Sequence, residues 1–219
     1  MNQHTEERFD VYDKLGNPIG TATREETHAK GLWHHTVHCW LVRRGEDGRA
    51  RILFQRRSAS KDTNPGGYDI TAAGHLSAGE TPREASRELE EELGVRIPFE
   101  KLVSYGTIRE EAAGEAGGKH YIDREVSHVF GAVTELEPRQ FRLQEEEVSG
   151  LYEADALRLI AMMEGLGTTV EARGVLLEGG KIKPDTVTVT ASEFVSRDYG
   201  YYVGVFGFLL KLAEQPQND

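Results

Sequence analysis

The chain has 219 residues, enough for one domain with an extension and a sizeable core. Its net charge is −11, from 26 Lys and Arg against 37 Asp and Glu, which argues against binding to a nucleic-acid backbone or an anionic membrane surface. Hydrophobic residues make up 38% and charged residues 29%, the balance of a globular chain, and no apolar run reaches the roughly 18 residues of a membrane span. Met1 to Asp10 is polar, without an apolar leader core, and the single Cys39 cannot close an internal disulfide; both point to a reducing cytoplasm.

Phe9 to Tyr12 alternates as a strand, Lys14 to Asn17 is a turn, and Ile19 to Thr23 returns as its partner. A short helix is expected from Thr23 to Gly31. Thr36 to Val42 and Arg51 to Gln55 form a hairpin around the Gly45–Gly48 turn. Ser58 to Gly67 is a loop and Tyr68 to Ala72 another strand. Thr81 to Leu93 is the clearest helix, with Thr81 as N-cap, Pro82 at its first position, Glu84 completing a capping box and Gly94 as the stop. Ala85, Leu89 and Leu93 give it a core-facing stripe. Val103 to Ile108 and Val126 to Thr134 read as strands, separated by a Gly- and Ala-rich segment, Glu111 to Lys119, expected to be a mobile loop. Val148 to Tyr152 reads as a strand, Asp155 to Glu164 as a helix and Tyr201 to Ala213 as an apolar helix that could serve a homodimer. Between them, Gly165 to Arg197 reads as an insertion carrying a hairpin. There is no internal repeat. Hairpins flanked by helices predict an α/β (α+β) fold, a mixed sheet sandwiched between helices.

Glu88, Glu91 and Glu92 stand at i, i+3 and i+4, one face of a helix, with Glu84 a turn earlier. Such a face is either solvated or holds a hard divalent cation, since Mg²⁺ takes oxygen ligands and joins carboxylates to substrate phosphates. The surrounding sequence selects the second reading. Gly74 to Val95 runs G-H-L-S-A-G-E-T-P-R-E-A-S-R-E-L-E-E-E-L-G-V. It resembles the Nudix box through Gly74, Glu80, Arg87, Glu88, Leu89, Glu91, Glu92, Gly94 and Val95. One departure is the spacer between Glu80 and Arg87, six residues where the family has seven. Inside a helix that deletion would turn Glu80 by about 100° from the Glu91 face, whereas Ser77-Ala78-Gly79 could absorb it in the loop.

The resemblance implies a Nudix-like α/β/α sandwich and a Mg²⁺-dependent hydrolase, with Mn²⁺ able to replace Mg²⁺. It makes Glu88, Glu91, Glu92 and the Gly74 carbonyl metal ligands, and Arg87 an orienting partner of a glutamate. The implied reaction is attack by a metal-activated water on a P–O–P linkage of a small diphosphate. On this reading residues 1–30 are an N-terminal hairpin extension and 31–164 the Nudix hydrolase domain. Residues 165–219 are an insertion with the hairpin and the C-terminal helix, packed on the same domain.

Outside the box, His34 to Val42, Gln55 to Asp62, Pro65 to His75 and Phe141 to Ser149 are similar to the branch containing type 1 isopentenyl-diphosphate isomerase. That likeness implies a second metal site at His34, His75, Asp123 and Glu125, with Arg57 and Lys61 on the substrate diphosphate. The plainer alternative is a set of hydrogen-bonded polar residues. The isomerase carries a catalytic cysteine directly before the Gly-His pair; here that residue is Ala73, which cannot move a proton. Three functions therefore compete. A diphosphate hydrolase leads, an isomerase-like enzyme is opposed by Ala73, and a non-catalytic nucleotide-diphosphate sensor is opposed by the retained glutamates. The substrate is not legible.

Overall fold

The computed structural model describes residues 6–116 and 118–215. It opens with a hairpin, β1 (Arg8–Tyr12) and β2 (Pro18–Thr23), then helix α1 (Arg24–Lys30). Thr23 caps α1 by accepting from the Glu26 amide, and Gly31 ends it in the left-handed conformation at φ 60°. The long strand β3 (Trp33–Arg44) pairs with β4 (Ala50–Arg57). The single strand expected over Tyr68 to Ala72 is two: β5 (Tyr68–Asp69) on β4 and β6 (Ala72–His75) on β3. Thr71 makes the switch. Its hydroxyl donates to the Leu53 carbonyl at 2.5 Å and accepts from the Leu41 amide at 2.9 Å, so a side chain stands in where the backbone changes partners.

The expected helix at Thr81 starts as one 3-10 turn, Pro82–Glu84, and continues as α2 (Ala85–Leu93). Thr81 and Glu84 form the capping box, and Gly94 stops the helix at φ 66°. The largest correction concerns Glu111 to Lys119. Its described residues belong to an extended hairpin of β7 (Val103–Ala116) and β8 (Lys119–Val133), paired out to Ala116 and Lys119. Small residues suggested a loop, but an exposed two-stranded arm is held by its ladder and needs no side-chain packing on both faces.

Strand β9 (Val148–Asp155) leads through the Asp155 cap into α3 (Ala156–Met163). The segment expected as an insertion forms β10 (Val170–Glu178) and β11 (Lys181–Val189), turning at Gly179 and Gly180, both with positive φ. Pro184 is tolerated because β11 is an edge strand. Helix α4 (Tyr199–Glu214) closes the fold. Its apolar side chains, expected to offer a homodimer surface, are largely buried within the chain itself: Tyr202, Phe206 and Leu209 are fully enclosed.

The sheet runs β11-β10-β9-β4-β3-β1-β2, with β8 parallel to β3 over Trp33–Val42 and the other pairs antiparallel. Alternation along β3 assigns the two faces. Val37, Cys39 and Leu41 pack with Ala85, Leu89 and Leu93 of α2. Trp40 and Val42 pack with α3 and α4 on the opposite face. That second face carries His34, Thr36 and His38 nearer the start of β3, all buried. The sheet between α2 and the α3–α4 layer thus turns polar at one end, and there the candidate site lies.

Candidate metal and substrate site

Helix α2 divides its glutamates by direction. Glu88 and Glu92 are buried, Glu91 is 56% exposed at its side chain, and Glu90 turns outward to Arg96 at 2.8 Å. Glu92 accepts from the Gln55 amide nitrogen at 2.9 Å. A Cβ on Gly74 would overlap the Glu88 carboxylate, so glycine is what lets β6 and α2 approach there. Burial, only partly offset by Arg87, pushes Glu88 up to about 7; burial and the neighbouring Glu88 and Glu147 push Glu92 up to about 8. Two crowded carboxylates with raised pKa, against a glycine that leaves room for them, fit a hard cation with oxygen ligands.

Arg87 holds the remaining acids. It reaches Glu91 at 2.8 Å, Glu88 at 2.9 Å and Glu80 at 3.1 Å. The short spacer therefore leaves Glu80 within the constellation. Its carboxylate also accepts from the Ser77 amide at 2.8 Å, so the loop before the helix absorbs the missing residue. Glu91 is drawn to Arg87. The three box glutamates are not among the groups of potential ligand atoms that converge within 4.8 Å among the described residues.

The groups that do converge are His28, His34 and His75, and His34, Asp123 and Glu125. Strands β3, β6 and β8 bring four of these together, as the register sets His34 beside Glu125 and Thr36 beside His75. Asp123 Oδ1 lies 3.5 Å from His28 Nε2 and 3.6 Å from His34 Nε2; Glu125 lies 3.6 Å from His75 Nε2. These distances are long for hydrogen bonds and suit donors grouped around an ion. Buried His34 Nε2, His75 Nε2 and Asp123 Oδ1 have no hydrogen-bond partner. His34 Nδ1 donates to the Leu32 carbonyl at 3.1 Å, which leaves the Nε2 lone pair facing the cluster. Phe9 stacks on His34 at 5.2 Å and on His75 at 4.7 Å, fixing both rings. Burial lowers the pKa of His34 and takes His75 well below its ordinary value, which favours the neutral form that a metal ligand needs. Burial and Asp123 raise Glu125 to about 8, whereas Asp123 itself ends low: burial opposes its charge, but His28 and His34 outweigh it.

His28 was not read from the sequence. It sits on the short helix α1, and nothing in its local pattern marks it as a ligand; only the packing of α1 beside β8 brings it in.

A cavity of about 1790 Å³ joins the two clusters. Arg57 and Lys61 line it, but both are engaged: Arg57 donates to Asp69 at 3.0 Å and to the Thr63 carbonyl at 2.9 Å, and Lys61 pairs with Glu147. Arg197, also missed, holds the other oxygen of Asp69 at 2.9 Å. Burial would raise the Asp69 pKa, but Arg197 and Arg57 keep it below the ordinary carboxylate range. Ala73 lines the cavity, while Cys39 lies on the opposite face, its thiol donating to the Ala85 carbonyl at 3.2 Å and pushed up by burial. There is no thiol where the isomerase chemistry needs one.

The NUDIX domain family matches residues 32–171. The chain is 36% identical to an uncharacterized Nudix hydrolase of Clostridium acetobutylicum, over 90% of this chain and 94% of that protein. It is 40% identical to Nudix hydrolase 3 of Arabidopsis thaliana, over 67% of this chain but 19% of that longer protein. A crystal structure of a Deinococcus radiodurans protein shares the fold at a TM-score of 0.51 and 20% identity, covering 73% of this chain and 90% of that one. With the fold, the box and a full-length relative in agreement, the chain belongs to the Nudix family and is a hydrolase of the pyrophosphohydrolase type.

Proposed function

We propose that the enzyme is a Mg²⁺-dependent hydrolase that cleaves the P–O–P linkage of a small organic or nucleoside diphosphate derivative, with Mn²⁺ as an alternative ion. Glu88, Glu91, Glu92 and the Gly74 carbonyl hold the catalytic ion, and His28, His34, His75, Asp123 and Glu125 hold a second one. Divalent ions bound there supply polarisation of the diphosphate and a water of lowered pKa. Arg57 and Lys61 offset the charge of the diphosphate, which the acidic helix would otherwise repel. Arg87 orients Glu80, Glu88 and Glu91 through its ion pairs, from which Glu91 would have to turn to join an ion. Gln55 orients Glu92 by its hydrogen bond. The observation that carries this reading is the buried pair Glu88 and Glu92 facing the cavity against Gly74.

The isomerase reading is not favoured, because Ala73 can neither donate nor accept a proton and Cys39 lies across the sheet. The sensor reading loses its one support, since the short spacer leaves Glu80 on Arg87. The test is a library of diphosphates incubated with Mg²⁺ or Mn²⁺, read as phosphate released after phosphatase coupling. Turnover of one member is expected. Failure of all of them, with one still raising the melting temperature, would transfer the site to the sensor reading.

A further inference from the structure

The family model ends at residue 171, yet the cavity wall continues into the segment before α4, where Val195, Ser196 and Arg197 line it. That segment is docked on β5. Phe194 is buried against Phe54 and forms a parallel bridge with Tyr68. The Val195 amide donates to the Tyr68 carbonyl at 2.8 Å, and the Tyr202 hydroxyl donates to the Val195 carbonyl at 2.7 Å. Pairing with Tyr68 sets Arg197 against the next residue of β5, Asp69.

Asp69 joins two arginines across this wall. Its Oδ1 accepts from Arg197 Nη1 and from the Ile70 amide, each at 2.9 Å, and its Oδ2 accepts from Arg57 Nη1 at 3.0 Å. The carboxylate is buried, and Arg197, packed over Tyr201, is nearly as enclosed. Arg57 sits at the end of β4, where the chain leaves the sheet for a loop, and its Nε and Nη2 donate to the Thr63 carbonyl of that loop. Nη1 keeps a second N–H beyond the one given to Asp69, and Arg57 lines the cavity. A long side chain at a strand end loses rotamer freedom when it grips an anion, and one already held loses less.

We propose that Arg197 is a positioning residue, which fixes Arg57 against the substrate diphosphate through Asp69, so that a segment beyond the family-matched span completes the site. The inference rests on the reading above, in which Arg57 meets the diphosphate.

The experiment titrates the Mg²⁺-loaded protein with imidodiphosphate, a diphosphate analogue that resists hydrolysis, and reads Kd and stoichiometry separately by calorimetry. Arg197→Gln should raise Kd about tenfold at unchanged stoichiometry, since a hydrogen bond to a charged group is lost from the relay. Arg197→Lys, which keeps a cation on Asp69, should lose less. In an Arg57→Gln background, Arg197→Gln should cost nothing further, because its effect passes through Arg57. Asp69→Asn serves if Arg197→Gln melts early: it should weaken binding although it removes a negative charge from the wall. Lowered stoichiometry at unchanged Kd, an Arg197→Gln effect that persists without Arg57, or tighter binding by Asp69→Asn would each overturn the inference and leave the hydrolase reading intact. No binding by the wild type would overturn both.

Discussion

The two clusters of candidate metal ligands that share the cavity are built in opposite ways. The carboxylates of α2 come from one helix at i, i+3 and i+4, and their donors are all oxygen. The histidine cluster draws His28 from α1, His34 from β3, His75 from β6 and Asp123 with Glu125 from β8. The first is local in sequence and strained by like charge. The second is assembled by the sheet, stacked on Phe9, and left with buried nitrogen and oxygen atoms that lack partners. A local acidic site suits a hard ion that exchanges with substrate, whereas a rigid mixed N/O site suits a retained ion such as Mn²⁺ or Zn²⁺. Burial also moves the glutamates and the histidines of these clusters in opposite directions with pH.

The largest expected effect is on catalysis through α2. Glu92→Gln should lower turnover at least ~100-fold with little change in fold, while Glu90→Gln, turned toward Arg96, should leave it nearly unchanged. Steady-state kinetics on an identified diphosphate checks both, and equal effects of the two variants would break the proposed division of labour along the helix. Next comes metal retention. His34→Ala should weaken retention of a transition metal by roughly ten- to a hundredfold on dialysis, read by elemental analysis, without abolishing Mg²⁺ binding at α2. Loss of both together would mean one site rather than two. A comparable but smaller loss is expected for Gly74→Ala. Its new Cβ meets the movable end of Glu88 rather than backbone, so metal affinity should fall about tenfold while the melting temperature changes little.

The smallest effect is on stability with pH in metal-free protein. Glu88, Glu92 and Glu125 keep protons up to about 7, 8 and 8, above the roughly 4.3 of an unfolded glutamate. The folded state therefore binds more protons than the unfolded one between these values, and stability falls as pH rises through that window. His34, His35, His38, His75 and His128 are shifted the other way by burial, so their stabilising contribution is lost as pH falls below about 6.5, and together they outnumber the raised glutamates there. Melting temperature should peak near about pH 6, and Mn²⁺ should restore the alkaline side. A melting temperature rising steadily to pH 8 without metal would contradict the assignment of buried acids.

Local features were legible in the sequence. The cap at Thr81, the stop at Gly94 and the glutamate spacing are short-range patterns with their own physics, and the helix follows them to within its 3-10 first turn. His34, His75, Asp123 and Glu125 were reached through family resemblance alone, since they lie far apart in the chain. His28 and Arg197 were missed because each is placed by packing: α1 against β8, and the segment before α4 against Asp69. The arm of β7 and β8 was misjudged for a related reason. Glycine and alanine at Glu111 to Lys119 lower strand preference locally, but pairing that starts at Val103 and Gly131 continues outward along the ladder.

On the proposed function, the α2 carboxylates bind a divalent ion independently of the histidine cluster. Calorimetric titration of the metal-stripped protein with Mg²⁺ tests it most directly, comparing wild type, Glu91→Gln with Glu92→Gln, and His34→Ala with His75→Ala. The expected result is a Mg²⁺ binding event that the glutamine pair abolishes and the alanine pair preserves. Unchanged Mg²⁺ binding in the glutamine pair would contradict the account and move the catalytic ion away from α2.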